Sequence, residues 1–154
     1  MKYNRSYAAC SAYQGKVVVS GGYLNILNRT LLNNVEAYDH TLDEWVEMPS
    51  MINARHFHCQ VAIRNKLFII GSFRESCEVF DSDNQRFVLI KKSVKHFGSF
   101  EAVSVGNKIF AYHYYFKTCS CYDIEKNEWS YEDFEFTRDL AGFACVKVPQ
   151  LTTC

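Results

Sequence analysis

The stretch "EAYDHTLDEW" at residues 36–45 is restated twice down the chain, as "EVFDSDNQRF" at 78–87 and as "SCYDIEKNEW" at 120–129. Tyr38, Phe80 and Tyr122 stand 42 residues apart, as do Asp39, Asp81 and Asp123, and as do Trp45, Phe87 and Trp129. A fixed period of this length marks a repeat architecture, in which each unit buries its faces against its neighbours. Upstream of each copy lies a short apolar run introduced by Gly or Asn and then Lys: "GKVVVSGG" (15–22), "NKLFIIGS" (65–72) and "NKIFAYHY" (107–114). That signal joins two strands in a hairpin. The strand before it reads "AACSAY", "HCQVAI" or "EAVSV"; the third strand carries the Asp, and the fourth begins at Trp45, Phe87 or Trp129.

Four short strands per unit describe a propeller blade. The expected fold is therefore all-β, one unit over 1–154 with blades at about 4–51, 52–93 and 94–136. From Gly21 to Gly71 is 50 residues and from Gly71 to His113 is 42, so the first blade carries about eight extra residues between its second and third strands, in "YLNILNRTLLNN". The end of the chain, "TRDLAGFACVKVPQLTTC", starts like a fourth blade and stops at Pro149, which predicts a closing strand at about 138–148. Three blades and a strand do not close a ring, so the outer flank of the first blade is expected to be open.

At 154 residues, 48% hydrophobic and 22% charged, the chain is globular in composition. Seventeen basic residues balance seventeen acidic ones, which leaves no electrostatic footprint for nucleic acid or for an anionic membrane. The start, "MKYNRSYAACSAYQGK", lacks the apolar core of a signal peptide, and no stretch is apolar over the length a membrane helix needs. A cytoplasmic location is expected. Seven cysteines, an odd number without a secretory signal, read as reduced thiols. Cys119 and Cys121 read as buried strand positions; His56 and His58 share a face at period two without a third ligand, so no metal and no cofactor are expected. Nor is there a Ser-His-Asp order, a phosphate loop or a repeated carboxylate pair, and an enzyme is not expected.

An Arg, an apolar strand, a Gly-Gly, a Glu-x-Tyr-Asp and a Trp in this order resemble the kelch repeat. The first copy has Arg5, Gly21, Gly22, Glu36, Tyr38, Asp39 and Trp45; the second has Arg55, Gly71, Glu78, Phe80, Asp81 and Phe87, with Ser72 for the second Gly. In the third, His113 and Tyr114 replace the glycines and Phe97 stands at the Arg position. By this resemblance the chain is a partial kelch-type β-propeller, the C-terminal half of a ring. The resemblance implies the substrate-recognition half of an adaptor for a cullin-type E3 ubiquitin ligase, whose BTB and BACK domains meet the cullin scaffold. An actin-binding kelch protein is the alternative, and a kelch-bladed copper oxidase a remote one.

Strand directions place the loops after each Gly-Gly strand and the loops leading into each new blade on one face. That face collects Arg5, Tyr7, Tyr23, Arg55, His56, Phe73, Arg74, Tyr114, Tyr115, Phe116 and Arg138 as candidate protein- or peptide-binding residues. Arginine and aromatic side chains are the types enriched at binding hot spots. Arg5, Arg55 and Arg138 carry a second reading, as residues that hold the repeat's own backbone. On the first reading, replacing Arg55 and Arg74 with alanine weakens a bound peptide by about 1–3 kcal/mol each and barely moves thermal stability.

Overall fold

The structure, a computed structural model, describes residues 1–71, 76–91, 100–113 and 118–132. The closing strand expected at 138–148 lies outside the described residues. Three four-stranded antiparallel sheets follow one another. The first contains β1 (Ala9–Tyr13), β2 (Lys16–Ser20), β5 (Val35–Asp39) and β6 (Glu44–Met48); a small hairpin, β3 (Tyr23–Asn25) and β4 (Thr30–Leu31), is inserted after β2. The second is built from β7 (Cys59–Ile63), β8 (Lys66–Ile70), β9 (Cys77–Asp81) and β10 (Arg86–Ile90), and the third from β11 (Phe100–Val105), β12 (Lys108–His113), β13 (Thr118–Asp123) and β14 (Glu128–Glu132). The first strands of successive blades, β1, β7 and β11, run beside one another and form the inner edge of the fan.

The turns explain why the landmarks recur. The loops Gln14-Gly15 and Arg64-Asn65 hold both residues at positive φ, the geometry that closes a two-residue hairpin with the right twist. The Asp of each restated stretch folds back on the next turn: Asp39 Oδ1 accepts the Thr41 N–H at 3.0 Å, Asp81 Oδ1 the Asp83 N–H at 3.2 Å, and Asp123 Oδ1 the Glu125 N–H at 3.1 Å. Four residues beyond each Asp, at Asp43, Gln85 and Asn127, the backbone turns left-handed. The Tyr38 hydroxyl donates to Asp43 at 2.5 Å and that of Tyr122 to Asn127 at 2.7 Å. In the middle blade Phe80 has no hydroxyl to give, and Gln85 stands opposite it. The aromatic pairs persist throughout, with ring centroids 5.4 Å apart for Tyr38–Trp45, 5.2 Å for Phe80–Phe87 and 5.0 Å for Tyr122–Trp129.

Two apolar layers join the blades. Tyr13, Val18, Val35 and Ala37 of the first pack on Leu67, Ile69, Phe80 and Phe87 of the second; Val61, Phe68 and Ile70 of the second pack on Ile109, Ala111 and Tyr122 of the third. The face of the first blade that corresponds to Leu67, Ile69, Phe80 and Phe87 is uncovered: Val17 is 48% exposed, where its counterpart Leu67 is 0% exposed. Cys10, Val19, Tyr38 and Trp45 share that open face through the strand register.

Candidate functional site

The loops between β2 and β5 and between β6 and β7 meet on one side of the first two blades. Their meeting depends on two arginines. Arg5 sends Nη2 and Nε to Glu36 Oε2, at 2.8 and 3.1 Å, and Nη1 to the carbonyls of Gly21 and Asn34, at 2.7 and 3.0 Å. Arg55 repeats the layout one blade later, with Nη2 on Glu78 and Nη1 on the carbonyls of Gly71 and Ser76, at 2.9 and 2.7 Å. Both pairs are buried, each side chain being at most 1% exposed. Burial by itself would raise the Glu36 carboxyl, but the Lys2 N–H and the Arg5 guanidinium outweigh it and hold it below the usual range.

This corrects the surface expectation for Arg5 and Arg55. Neither guanidinium faces solvent; each ties the two ends of a strand-to-strand loop to the segment that leads into its own blade. A peptide cannot reach them, and truncating Arg55 leaves a buried carboxylate without its charge partner, so stability does not stay unmoved. The bent path of "RHFH" also corrects the shared-face reading of His56 and His58: Phe57 takes a left-handed φ of 50° before β7 begins. His56 Nε2 meets the Tyr23 hydroxyl at 3.1 Å, while His58 Nε2 meets Ser20 Oγ at 2.9 Å. Ser20 donates in turn to Gln60 Oε1 at 2.5 Å, and Gln60 Nε2 to Ser11 Oγ at 2.8 Å, so a buried polar chain crosses from the second blade to the first. Burial, with the nearby charges of Arg55 and His56, pushes His58 down to about 3.

The paired glycines are required where this seam is tightest. A Cβ on Gly21 would stand 2.5 Å from the Arg55 carbonyl oxygen, and one on Gly22 would stand 2.7 Å from that of Ser6. The close approach lets Gly22 N–H donate to Arg55 O at 2.8 Å, and Phe57 N–H to Tyr7 O at 3.1 Å.

What reaches solvent here is aromatic. Tyr7 stacks on Phe57 with centroids 4.2 Å apart and meets Tyr23 edge-on at 6.4 Å; Tyr23 lies 4.4 Å from the His56 ring. Tyr7 is 51% exposed. Tyr23 and His56 are thus brought together as expected candidates, although His56 is itself buried. Phe57 was not a candidate, yet it occupies in the second blade the place of Tyr7 in the first, and both hold a left-handed φ, 50° and 57°. Above Tyr23 rises the inserted hairpin, with Leu24, Ile26 and Leu31 partly exposed and Leu27 at 95%. The run "LNILNRTLL" signalled this in sequence, since isolated aliphatics are normal in a loop but a cluster of them is not. Phe73, Arg74, Tyr114, Tyr115, Phe116 and Arg138 lie outside the described residues.

The third blade resolves the same seam differently. His113 stands at the Gly position and Ser120 at the Glu position, and His113 Nε2 meets Ser120 Oγ at 3.0 Å, both residues buried. Cys119 and Cys121 are buried strand positions alongside.

Residues 4–52, which contain the first arginine, both glycines, the Glu, the Asp turn and the Trp, match the family described as the Kelch motif. The first blade carries the kelch motif. Kelch-like protein 23 of Homo sapiens is 27% identical over 141 residues, covering 83% of this chain and 25% of that protein, and its Mus musculus counterpart matches to the same extent. Kelch-like protein 7 of Gallus gallus is 40% identical over 47 residues, which are 30% of this chain and 8% of that protein. The chain spans about a quarter of the length of the kelch-like protein 23 relatives it matches. A solved structure of YjhT superposes with a TM-score of 0.73 at 14% identity, over 88% of this chain and 54% of that one, which shows a shared propeller fold.

Proposed function

We propose that this module is the substrate-reading part of a cytoplasmic adaptor for a cullin-type ubiquitin ligase, with the loop face of the first two blades holding the protein to be modified. The observation that carries it is the exposed aromatic cluster around Tyr7, continuous with the aliphatic hairpin, on a seam that the buried arginines make rigid. Rigid aromatic anchors supply contact area at low conformational cost. The similarity to kelch-like proteins supports the adaptor role, and the balanced charge supports a protein partner over nucleic acid. No helix among the described residues is long and apolar enough to cross a membrane.

The test is recovery of a cullin scaffold with the protein expressed in its natural sequence context. Proteins held by the loop face should accumulate when cullin activity is blocked, and should stop accumulating in a Tyr7→Ser, Phe57→Ser double variant. Sedimentation with filamentous actin and no cullin recovered would replace this reading with the cytoskeletal one.

A further inference from the structure

The hairpin after the Gly-Gly strand has chemistry of its own. In the second blade only four residues separate Gly71 from Ser76, whereas in the first blade twelve separate Gly21 from Asn34. The added length is ordered at its base and at its tip. Tyr23 exchanges backbone hydrogen bonds with Ser6 at 3.0 and 2.8 Å, and the buried Leu32 sends its N–H to Gly22 O at 2.9 Å. At the tip Asn25 Oδ1 accepts the Leu27 N–H at 2.9 Å, and Thr30 Oγ1 donates to Asn28 at 2.7 Å. A turn held by its own side chains nonetheless turns Leu27 outward at 95% exposure, with Ile26 at 51% and Leu24 at 45%. An ordered hairpin that displays aliphatics is preorganised to bury them against something else.

Charge narrows what that is. The arginines at the root of the face, Arg5 and Arg55, are buried on Glu36 and Glu78 and so neutralised. The cation the hairpin itself displays is Arg29, exposed at the turn and without an ion pair among the described residues. Among the described residues, affinity on this face therefore rests on apolar contact, with the Arg29 guanidinium to select for a carboxylate.

We propose that the β3–β4 hairpin and the Tyr7 cluster from which it rises together bind a peptide segment that presents a large apolar side chain next to an acidic one. The apolar residue packs against Leu27 and Ile26, and the carboxylate pairs with Arg29. This deepens the proposed function and rests on its assignment of the loop face.

The experiment is selection of a random peptide library displayed on phage against the full chain, followed by fluorescence anisotropy with a synthetic peptide of the enriched sequence. The expected peptides pair Leu, Ile, Phe or Trp with an adjacent Asp or Glu. Leu27→Asn should weaken such a peptide about tenfold or more, as loss of a hot-spot contact does, and Arg29→Gln about threefold, an effect that added salt should erase. Leu27 is too exposed to contribute to folding, so both variants should melt like the parent, and His40→Gln on the opposite turns should bind like the parent. Enriched peptides without an apolar residue, or affinity indifferent to Leu27→Asn, would overturn the hairpin proposal and leave the interaction module standing. No enrichment over an unrelated control protein would overturn both.

Discussion

The seam of the second blade and that of the third perform the same task with opposite chemistry. In the second, Arg55 and Glu78 form a buried ion pair that also takes up two backbone carbonyls. In the third, Arg, Glu and Gly are replaced at once by Phe97, Ser120 and His113, and His113 Nε2 meets Ser120 Oγ at 3.0 Å in place of the ion pair. The Arg and the Glu change together because neither is tolerable without the other. A buried carboxylate without its guanidinium is costly, and so is the reverse, whereas replacing the whole set by neutral groups is nearly free of penalty. What reads in sequence as a decayed repeat is a coherent alternative.

That contrast can be broken most forcefully at Arg55. Arg55→Ala should destabilise the chain by about 3–5 kcal/mol, the penalty for stranding a buried charge, with Arg55→Ala, Glu78→Ala together far less than additive. Chemical denaturation of the two single variants and the double variant measures both. If Arg55→Ala melts like the parent, the seam is not held by the ion pair.

The next test uses acid. His58 is neutral in the folded chain, held at about 3 against an ordinary 6.5. A depressed histidine makes the unfolded state bind more protons between those values, so its contribution is present above pH 6.5 and lost as pH falls. About 2 kcal/mol should disappear between pH 6.5 and about pH 5. His58→Gln should flatten that slope, whatever it does to overall stability; an unchanged slope would place the acid sensitivity elsewhere.

Gly22→Ala should cost at least about 1–2 kcal/mol for the left-handed backbone alone, and more once the added methyl meets the Ser6 carbonyl at 2.7 Å. Thermal unfolding should show it. The smallest effect belongs to the third blade, where Ser120→Ala removes one neutral hydrogen bond and should cost about 1 kcal/mol. Were it to match Arg55→Ala, the two seams would be equivalent and the contrast between them empty.

The blades were legible in sequence because their signals are local. An Asp that folds onto the next turn, a Gly or Asn before Lys and an alternating strand each act within a few residues; the Asp recurs every 42 residues, and the other two keep step with it except across the insertion in the first blade. The site was legible in part. Residue type and loop order brought Tyr23 and His56 to one face, but they did not tell an exposed arginine from a buried one, because the partners of Arg5 and Arg55 lie 31 and 23 residues away. Phe57 escaped notice for a related reason. In "RHFH" it looks like a strand residue, and its left-handed turn is imposed by the backbone hydrogen bond to Tyr7, fifty residues earlier. The hairpin could be counted as extra length, yet its pairing and the outward aim of Leu27 depend on contacts with Ser6 and Gly22 that no period encodes.

The uncovered flank of the first blade supplies a reporter. Cys10 lies on it, exposed, while Cys59, Cys77, Cys119 and Cys121 are buried; its counterpart in the second blade, Gln60, is 7% exposed and bonded to the blade before it. Whatever sheet seats against that flank must cover the Cys10 sulfur as the first blade covers Gln60. The rate at which a thiol reagent modifies Cys10 in the native protein, followed at that residue by peptide mapping, therefore reads occupancy of the flank directly, fast while the face is bare and slow once a neighbour is docked, without any foreign probe being introduced.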